Sequence, residues 1–345
     1  MNGESGEKKS SSESERESLI KERSALKKEN TFLRRILAVL AFLTFASTSC
    51  HHYVKTPELA TGDHFAVING KKLKYHVAGC GPVCIIQPGG PGIDWTYLRM
   101  PDVEKFLTIV YLSPLGSGDS DRLENPTDYT KRRFADDIEG LRQFLGLEKM
   151  YLMGHSHGGM TALVYGIDHS DRLNGLILYG ATPTTGKEWF EDVGANMKWF
   201  EKEPWFPTAA QTFADAPKIK TDDEYAEGFR KIIGLYLYDY GSMKEKIDRL
   251  LRSMRFTIAP FQGYLAEMAS YDVRDRLKDI KAPTLVITGR KDFITSVKIS
   301  EALRDGIPGA RIAILEKSGH WGHIEEPKAF SAAVKGFVTE DGKRR

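Results

Sequence analysis

The stretch M-G-H-S-H-G-G-M at 153–160 constrains the fold of this chain more than any other segment. It follows the apolar run K-M-Y-L-M, which predicts a buried strand, and it precedes M-T-A-L-V-Y-G-I-D, which predicts a helix. The glycines around Ser156 allow a tight, strained turn that projects the serine hydroxyl away from the backbone. The pattern G-x-S-x-G between a strand and a helix therefore predicts that Ser156 is a nucleophile.

Short apolar runs alternate with amphipathic stretches from residue 65 onward. The run F-A-V-I-N-G-K-K-L-K-Y-H-V predicts a hairpin that turns at Asn69-Gly70, because both residues tolerate a positive φ. Apolar residues at intervals of three and four predict an amphipathic helix at 134–145. Further strands are predicted at 83–87, 107–112, 149–153, 175–179, 284–288 and 311–315. This order predicts an α/β fold with a largely parallel sheet covered by helices.

One long segment, 184–275, interrupts this alternation between two predicted core strands. It is rich in Trp, Phe, Tyr and Met, and its apolar spacing is helical. We therefore predict a helical cap over the carboxyl edge of the sheet, where open α/β sheets bind their ligands. The core is then predicted to comprise 65–183 and 276–340, preceded by a linker at 51–64.

The segment 1–50 lacks the pattern of a folded domain. Residues 1–30 are dominated by Ser, Glu, Lys and Arg, and they cannot bury enough apolar surface to fold alone. Next come Arg34 and Arg35, an apolar run of 11 residues and then S-T-S-C, which is the layout of a secretory signal peptide. The ending resembles the lipobox of bacterial lipoproteins and implies lipidation of Cys50, with an uncleaved signal anchor as the alternative. Both predict membrane attachment and a catalytic part outside the cytoplasmic membrane.

Charge, cysteine and histidine content limit the classes of function. Lys and Arg number 49 against 47 Asp and Glu, which provides no general field for binding nucleic acid. Cys80 and Cys84 are interpreted as buried reduced thiols, with a bridge between them as the alternative. His155 and His157 have the spacing of a metal pair, but the pattern supplies no further ligands. We predict neither a metal nor a cofactor.

A serine nucleophile needs a base, and the base needs an orienting carboxylate, because a serine hydroxyl reacts poorly at neutral pH. Asp292 lies just past the predicted strand at 284–288, and His320 lies in the loop after the last predicted strand. The chain order Ser, Asp, His is the one that this kind of strand–turn–helix nucleophile requires. We therefore predict that Asp292 orients His320 and that His320 is the base.

Other titratable residues compete for these two roles. His155 and His157 adjoin the nucleophile, but a tight turn directs neighbouring side chains apart, so neither is predicted as the base. His323 lies at the start of a predicted helix, which favours an orienting or structural role. Asp275 and Asp279 precede their strand and have the wrong position for the acid.

The negative charge that forms during acyl transfer needs two N–H donors. One is predicted at the backbone amide of His157, the residue after the nucleophile. The second is predicted at Gly90, in the loop P-G-G-P-G that follows the strand at 83–87. Glycines there let the backbone approach a substrate closely.

From residue 65 to 338 the chain resembles an α/β-hydrolase. G-G-P-G at 89–92, G-H-S-H-G-G and the ending S-G-H-W-G-H-I-E-E-P are most similar to the proline iminopeptidase branch. The resemblance implies a mostly parallel eight-stranded sheet with an inserted helical cap. It also implies the roles already given to Ser156, Asp292, His320, Gly90 and His157. Two segments depart from that branch, at Pro88, where it usually has His, and at 113–115, where it has D-Q-R.

We predict a serine hydrolase that cleaves an amide or ester of a small molecule or short peptide through an acyl-enzyme. The first candidate is an aminopeptidase that releases N-terminal residues from peptides. The alternatives are a carboxylesterase for small esters and a catalytically silent binding protein on the same scaffold. The resemblance implies that an aminopeptidase binds the free amine with cap carboxylates. The candidates are Glu191, Glu201, Glu203, Glu224, Glu227 and Glu267.

Overall fold

A computed structural model describes residues 56–343, and its centre is a single sheet of eight strands. The strands are β1 (Gly62–Ile68), β2 (Lys71–Gly79), β3 (Val83–Gln87), β4 (Thr108–Ser113), β5 (Met150–His155), β6 (Leu173–Tyr179), β7 (Thr284–Gly289) and β8 (Arg311–Leu315). Their order in the sheet is β1-β2-β4-β3-β5-β6-β7-β8. β2 pairs antiparallel with both of its neighbours, and the other pairs are parallel. The predicted mostly parallel eight-stranded sheet is confirmed.

The predicted hairpin forms at the edge of this sheet. Asn69 and Gly70 have φ values of 51° and 76°, as a two-residue turn between antiparallel strands requires. β1 begins at Gly62, which lies inside the predicted linker at 51–64. The strand starts earlier because β2 is long enough to pair with it as far as Val77, which lies opposite Gly62.

Helices cover both faces of the sheet. They are α1 (Lys131–Phe144), α2 (His157–Asp168), α3 (Lys187–Met197), α4 (Phe206–Ala214), α5 (Asp222–Ile232), α6 (Tyr240–Ser253), α7 (Ile258–Glu267), α8 (Val297–Gly306), α9 (Gly322–Glu325) and α10 (Pro327–Lys343). Apolar residues of α1, α2 and α8 pack in one core cluster, and those of α10 pack in a second cluster. Because apolar side chains cover it on both faces, every residue of β3 is buried. The thiol of Cys84, in β3, is free and buried, so the alternative bridge to Cys80 is not formed.

Five helices, α3 to α7, lie between β6 and β7, where the sequence predicts a cap. The two ends of this insertion meet at an isolated antiparallel bridge between Thr184 and Asp272. Trp189 of α3 and Ala209 of α4 pack against Phe293, in the loop after β7. The insertion is therefore packed against the loop that follows β7.

Membrane attachment was predicted for a segment outside the described residues. The N-terminal segment 1–50 and its Cys50 lie there. Within residues 56–343, none of the helices is both long and apolar enough to cross a bilayer.

Candidate active site

Ser156 lies at the turn between β5 and α2 in a strained backbone conformation, with φ of 56° and ψ of −122°. Among residues 56–343, Asn69 is the one other non-glycine residue with a positive φ. Such a conformation costs about 1–3 kcal/mol and persists only where the surroundings enforce it. Here the Ser156 amide donates to the carbonyl of Tyr179 at 2.9 Å, and the Ser156 carbonyl accepts from the amide of Gly159 at 2.8 Å.

The glycines of the turn are required by close backbone contacts. A Cβ atom at Gly158 would lie 2.2 Å from the carbonyl oxygen of Gln87, and one at Gly154 would lie 2.2 Å from the carbonyl oxygen of Gly158. A Cβ atom at Gly89 would lie 2.5 Å from the Cβ of Ser156. The start of α2 therefore packs directly on the backbone at the end of β3. This packing brings residues 88–92, the predicted oxyanion loop, against Ser156, the predicted nucleophile.

Asp292 and His320 form a buried hydrogen-bonded pair, although 28 residues separate them in sequence. Nδ1 of His320 lies 2.7 Å from Oδ2 of Asp292, and both side chains are 1% exposed. The same carboxylate accepts the Thr295 hydroxyl at 2.6 Å and the amides of Ile294 and Thr295 at 3.1 and 2.9 Å. Three donors besides the imidazole thus hold the carboxylate, and the carboxylate in turn orients the imidazole ring.

The second ring nitrogen of His320, Nε2, is buried and has no hydrogen-bond partner within residues 56–343. The structure shows no hydrogen bond between His320 and Ser156. Such bonds are often long in ligand-free enzymes and tighten when the substrate binds. With Nδ1 held by Asp292, Nε2 is the nitrogen left to exchange a proton with the nucleophile.

Two backbone amides have the surroundings of an oxyanion hole. The His157 amide is at the first position of α2, where helical amides lack an intrahelical acceptor. Gly90 has φ of 54°, and its carbonyl is held by the Ile93 amide at 3.0 Å and the Tyr225 hydroxyl at 3.2 Å. In the part of the chain that the structure describes, neither the Gly90 amide nor the His157 amide has a hydrogen-bond acceptor. Both are therefore available to a substrate oxygen.

The other histidines near the site do not have the contacts of a base. Both ring nitrogens of His155 are engaged, with the Tyr97 hydroxyl at 2.8 Å and the His320 carbonyl at 3.1 Å. Both ring nitrogens of His323 are engaged by Tyr179 and by the Tyr97 carbonyl. The ring of His157 lies edge-on to two aromatic rings instead of against Ser156.

Burial lowers the pKa of these three rings. The pKa values of His155 and His157 lie well below 6.5, and that of His323 falls to about 4. They are neutral at physiological pH. No group of three or more His, Cys, Asp or Glu side chains within residues 56–343 is placed to hold a metal ion, so a metal pair at His155 and His157 lacks further ligands.

Ser156 opens on a cavity of about 410 Å³ between the core and the helices of the insertion. Its walls are mostly aromatic and aliphatic, with hydroxyl groups from threonine and tyrosine. Among the described residues, none of the side chains that line it belongs to Asp, Glu, Lys or Arg. The aromatic and histidine lining residues are His157, Trp189, Phe190, Phe213, Tyr225, Phe229, Tyr236, Phe261 and Tyr264.

The six cap glutamates do not line this cavity. Five of them are exposed: Glu191, Glu201, Glu203, Glu224 and Glu227. The sixth, Glu267, pairs with the buried ammonium of Lys131 at 2.7 Å and accepts the amide of the same residue. The expectation that cap carboxylates bind a substrate amine is therefore not met by these residues. Glu191, Glu224 and Glu227 are exposed on α3 and α5, Glu201 and Glu203 are exposed between α3 and α4, and Glu267 of α7 pairs with Lys131.

Three residues of this region have no role in the sequence predictions. Thr295, which donates to Asp292, follows it by three residues in D-F-I-T, and that spacing was a local signal. The Tyr236 carbonyl accepts the His320 amide at 2.7 Å, and the Tyr97 hydroxyl accepts the Gly89 amide at 2.8 Å. Both contacts depend on long-range packing and leave no local pattern.

The amino-acid sequence is similar to those of known hydrolases. The family model of the alpha/beta hydrolase fold matches residues 82–327. A proline iminopeptidase of Saccharolobus solfataricus is 26% identical over 280 residues, which cover 77% of this chain and 87% of that protein. A 2-hydroxy-6-oxo-6-phenylhexa-2,4-dienoate hydrolase of Comamonas testosteroni is 28% identical over 305 residues, or 82% of this chain and 99% of that protein.

Solved structures show the same fold. A hydrolase of the alpha/beta fold family from Bacillus anthracis str. Sterne matches with a TM-score of 0.68 and 22% identity, covering 80% of this chain and 98% of that one. The predicted similarity to α/β-hydrolases, including proline iminopeptidases, is confirmed, and so is the prediction of a hydrolase. The chain belongs to the α/β-hydrolase fold family.

Proposed function

We propose that this protein is a serine hydrolase that cleaves carboxylic esters with uncharged, apolar acyl groups through an acyl-enzyme on Ser156. The observation that carries the proposal is the cavity beside this residue. It is large enough for a small ester, and its described walls bear no charged side chain. Burying an apolar acyl group there is favourable by about 25 cal/mol for each Å² of apolar surface removed from water.

The proposed reaction uses the groups described around Ser156. The hydroxyl oxygen of Ser156 attacks the ester carbonyl while Nε2 of His320 takes its proton. The amides of Gly90 and His157 donate to the oxyanion, and the carbonyl re-forms as the alcohol leaves with the proton from His320. Water then attacks the acyl-enzyme with His320 again as base, which releases the acid and restores Ser156. Asp292 keeps the Nδ1 proton of the ring in place throughout.

An aminopeptidase is the second candidate, because the relative from Saccharolobus solfataricus bears that name. Such an enzyme buries the ammonium of its substrate, and an unpaired buried charge costs several kcal/mol. The described cavity walls offer no carboxylate to pair with it. The same walls offer no cation for the carboxylate that the name of the Comamonas testosteroni relative implies. An uncharged ester fits better than either substrate.

Two esters separate the candidates. Benzyl cyclopentanecarboxylate and proline benzyl ester differ in the acyl ring by a CH₂ in place of the protonated ring nitrogen. We expect kcat/KM for the uncharged ester to be at least about tenfold higher, because the ammonium would lose hydration without gaining a partner. Ser156→Ala should abolish turnover of both esters. A preference for proline benzyl ester would favour the aminopeptidase and contradict the proposal.

We also propose that the N-terminal segment attaches the enzyme to the outer face of the cytoplasmic membrane. The support is the sequence around Cys50, with its preceding basic pair and apolar run. Incorporation of labelled palmitate into the full chain, lost in Cys50→Ser, is the expected result for a lipoprotein. Membrane association without palmitate would indicate the signal anchor, and a fully soluble full-length protein would contradict both.

A further inference from the structure

Three buried residues around the site take no part in the proposed bond-making steps. Tyr97, His155 and His323 are 4%, 1% and 6% exposed. Tyr97 lies in a short 3₁₀ turn after the oxyanion loop, His155 precedes the nucleophile, and His323 follows the base by three residues. Their hydrogen bonds connect all three parts of the catalytic site.

The bonds of His155 have a defined direction. Its Nε2 faces the backbone carbonyl of His320 at 3.1 Å, and a carbonyl can only accept, so Nε2 carries the proton. In a neutral ring Nδ1 is then an acceptor. Nδ1 must therefore accept the hydroxyl proton of Tyr97, which lies 2.8 Å away. The ring thus holds the backbone of the base on one side and Tyr97 on the other.

The Tyr97 hydroxyl extends this chain to the oxyanion loop. Having donated its proton to His155, the oxygen accepts the amide of Gly89 at 2.8 Å. Gly89 precedes Gly90, whose amide is the proposed donor to the oxyanion. The peptide planes that carry the Gly89 and Gly90 amides meet at the Cα of Gly89. Fixing the first plane through the bond to Tyr97 therefore restrains the second, which carries the Gly90 amide.

His323 holds the same tyrosine from its backbone. Nε2 of His323 lies 2.9 Å from the Tyr97 carbonyl and must donate to it. Nδ1 then accepts from the hydroxyl of Tyr179, which lies 3.0 Å away and itself accepts the His323 amide at 3.2 Å. Tyr97 is therefore fixed at both its backbone and its hydroxyl.

We propose that Tyr97, His155 and His323 form a positioning relay that keeps the oxyanion loop and the general base in register with Ser156. Gly89 is one end of the relay and the backbone of His320 is the other. These residues act through the loop and the base, without touching substrate. The inference rests on the proposed serine hydrolase mechanism, and it holds for any acyl substrate of that mechanism.

The test uses a reaction that depends on the serine, the base and the oxyanion hole, whichever substrate is natural. The full chain is incubated with a fluorophosphonate, and the second-order rate constant of labelling is measured. We expect Tyr97→Phe to lower it by about ten- to hundredfold, somewhat less than outright loss of an oxyanion donor. For ester turnover, the loss should lie in kcat, with KM changed by less than about twofold.

Tyr129→Phe is the matched control. Tyr129 is also buried, and its hydroxyl also accepts a backbone amide, that of Leu123 at 2.6 Å, but none of its hydrogen bonds reaches Ser156, His320 or residues 88–92. Its labelling rate should stay within about twofold of wild type. If Tyr97→Phe also labels within twofold of wild type, the relay is wrong, whereas labelling that survives Ser156→Ala refutes the serine hydrolase itself.

Two substitutions at His155 separate the arms of the relay and provide a test if Tyr97→Phe does not fold. In His155→Asn the side-chain oxygen lies near the former position of Nδ1, so the bond from Tyr97 is kept and the bond to the His320 carbonyl is lost. In His155→Gln a side-chain N–H lies near the former position of Nε2, so the bond to the His320 carbonyl is kept and the bond from Tyr97 is lost. We expect His155→Asn to shift the midpoint of the pH profile of labelling, because the backbone of His320, the proposed base, loses its bond from residue 155. His155→Gln should lower the plateau with little shift. Unchanged midpoint and plateau in both variants would overturn the relay.

Discussion

At the level of single residues, Ser156 combines its proposed role as nucleophile with backbone strain. Its φ of 56° is one that L-residues rarely adopt, yet the hydroxyl must leave the turn at this point to meet a substrate. The strain is offset by the bonds of its amide and carbonyl to Tyr179 and Gly159. The residue is therefore placed for chemistry at the expense of local stability.

This strain makes a prediction about stability. Replacing Ser156 with Gly should raise the free energy of unfolding by about 1 kcal/mol relative to Ser156→Ala, because glycine adopts this backbone conformation without a Cβ clash. Both variants lack the nucleophile and should be inactive, so stability is compared at equal activity. Urea unfolding measures the difference. Equal stability of the two variants would mean that the turn is not strained.

At the level of elements, the site depends on how closely α2 approaches the strand ends. A helix normally stays away from a neighbouring backbone by the width of its side chains. Here Gly158 removes that spacing, so the helix begins directly on Gln87 at the end of β3. This contact places the oxyanion loop beside the nucleophile.

Two helical glycines test this view. Gly158→Ala should lower the free energy of unfolding by about 3 kcal/mol or more, because its Cβ would meet backbone atoms that cannot move alone. Gly194, in α3, has open space where a Cβ would lie, and Gly194→Ala should raise stability by about 0.5–1 kcal/mol. Chemical denaturation of both variants provides the comparison. A similar effect at the two positions would contradict the packing argument.

At the level of the whole molecule, local patterns predict the sheet, the hairpin at Asn69-Gly70, the strand–turn–helix around Ser156 and the pairing of Asp292 with His320. These features depend on short periodicities and on the fixed chain order of a parallel sheet. Contacts between distant segments were not predictable in this way. Glu267 pairs with Lys131, 136 residues away, and Tyr97 binds His155, 58 residues away. Helix periodicity marks an apolar face but does not identify the surface that covers it.

The buried histidines also give the molecule a defined acid sensitivity. Histidines of the unfolded chain have a pKa near 6.5. In the folded chain burial lowers the pKa of His155, His157 and His323, to about 4 for His323. The free energy of unfolding should therefore fall between pH 7 and pH 5, by roughly 2 kcal/mol for His323. Glu325 opposes this, because burial raises its pKa to about 7 and the folded chain keeps its proton. Three rings lower the free energy of unfolding over this pH range and one carboxyl raises it, so we expect a net loss of stability from pH 7 to pH 5.

Glu325→Gln isolates the opposing group. This variant lacks the carboxyl, so its loss of stability between pH 7 and pH 5 should exceed that of wild type by roughly 2 kcal/mol. Urea unfolding at the two pH values provides the measurement. A wild-type protein that becomes more stable at pH 5 would show that the three rings are not neutral in the folded chain.

Site-resolved mass spectrometry of the fluorophosphonate adduct tests whether this α/β-hydrolase works through one serine, Ser156. Catalysis through Ser156 predicts a single adduct per chain, on the peptide that contains this residue, and no adduct in Ser156→Ala. It also predicts that His320→Ala labels at least about a hundredfold more slowly. An adduct on any other residue, or equal labelling of wild type and Ser156→Ala, would contradict it.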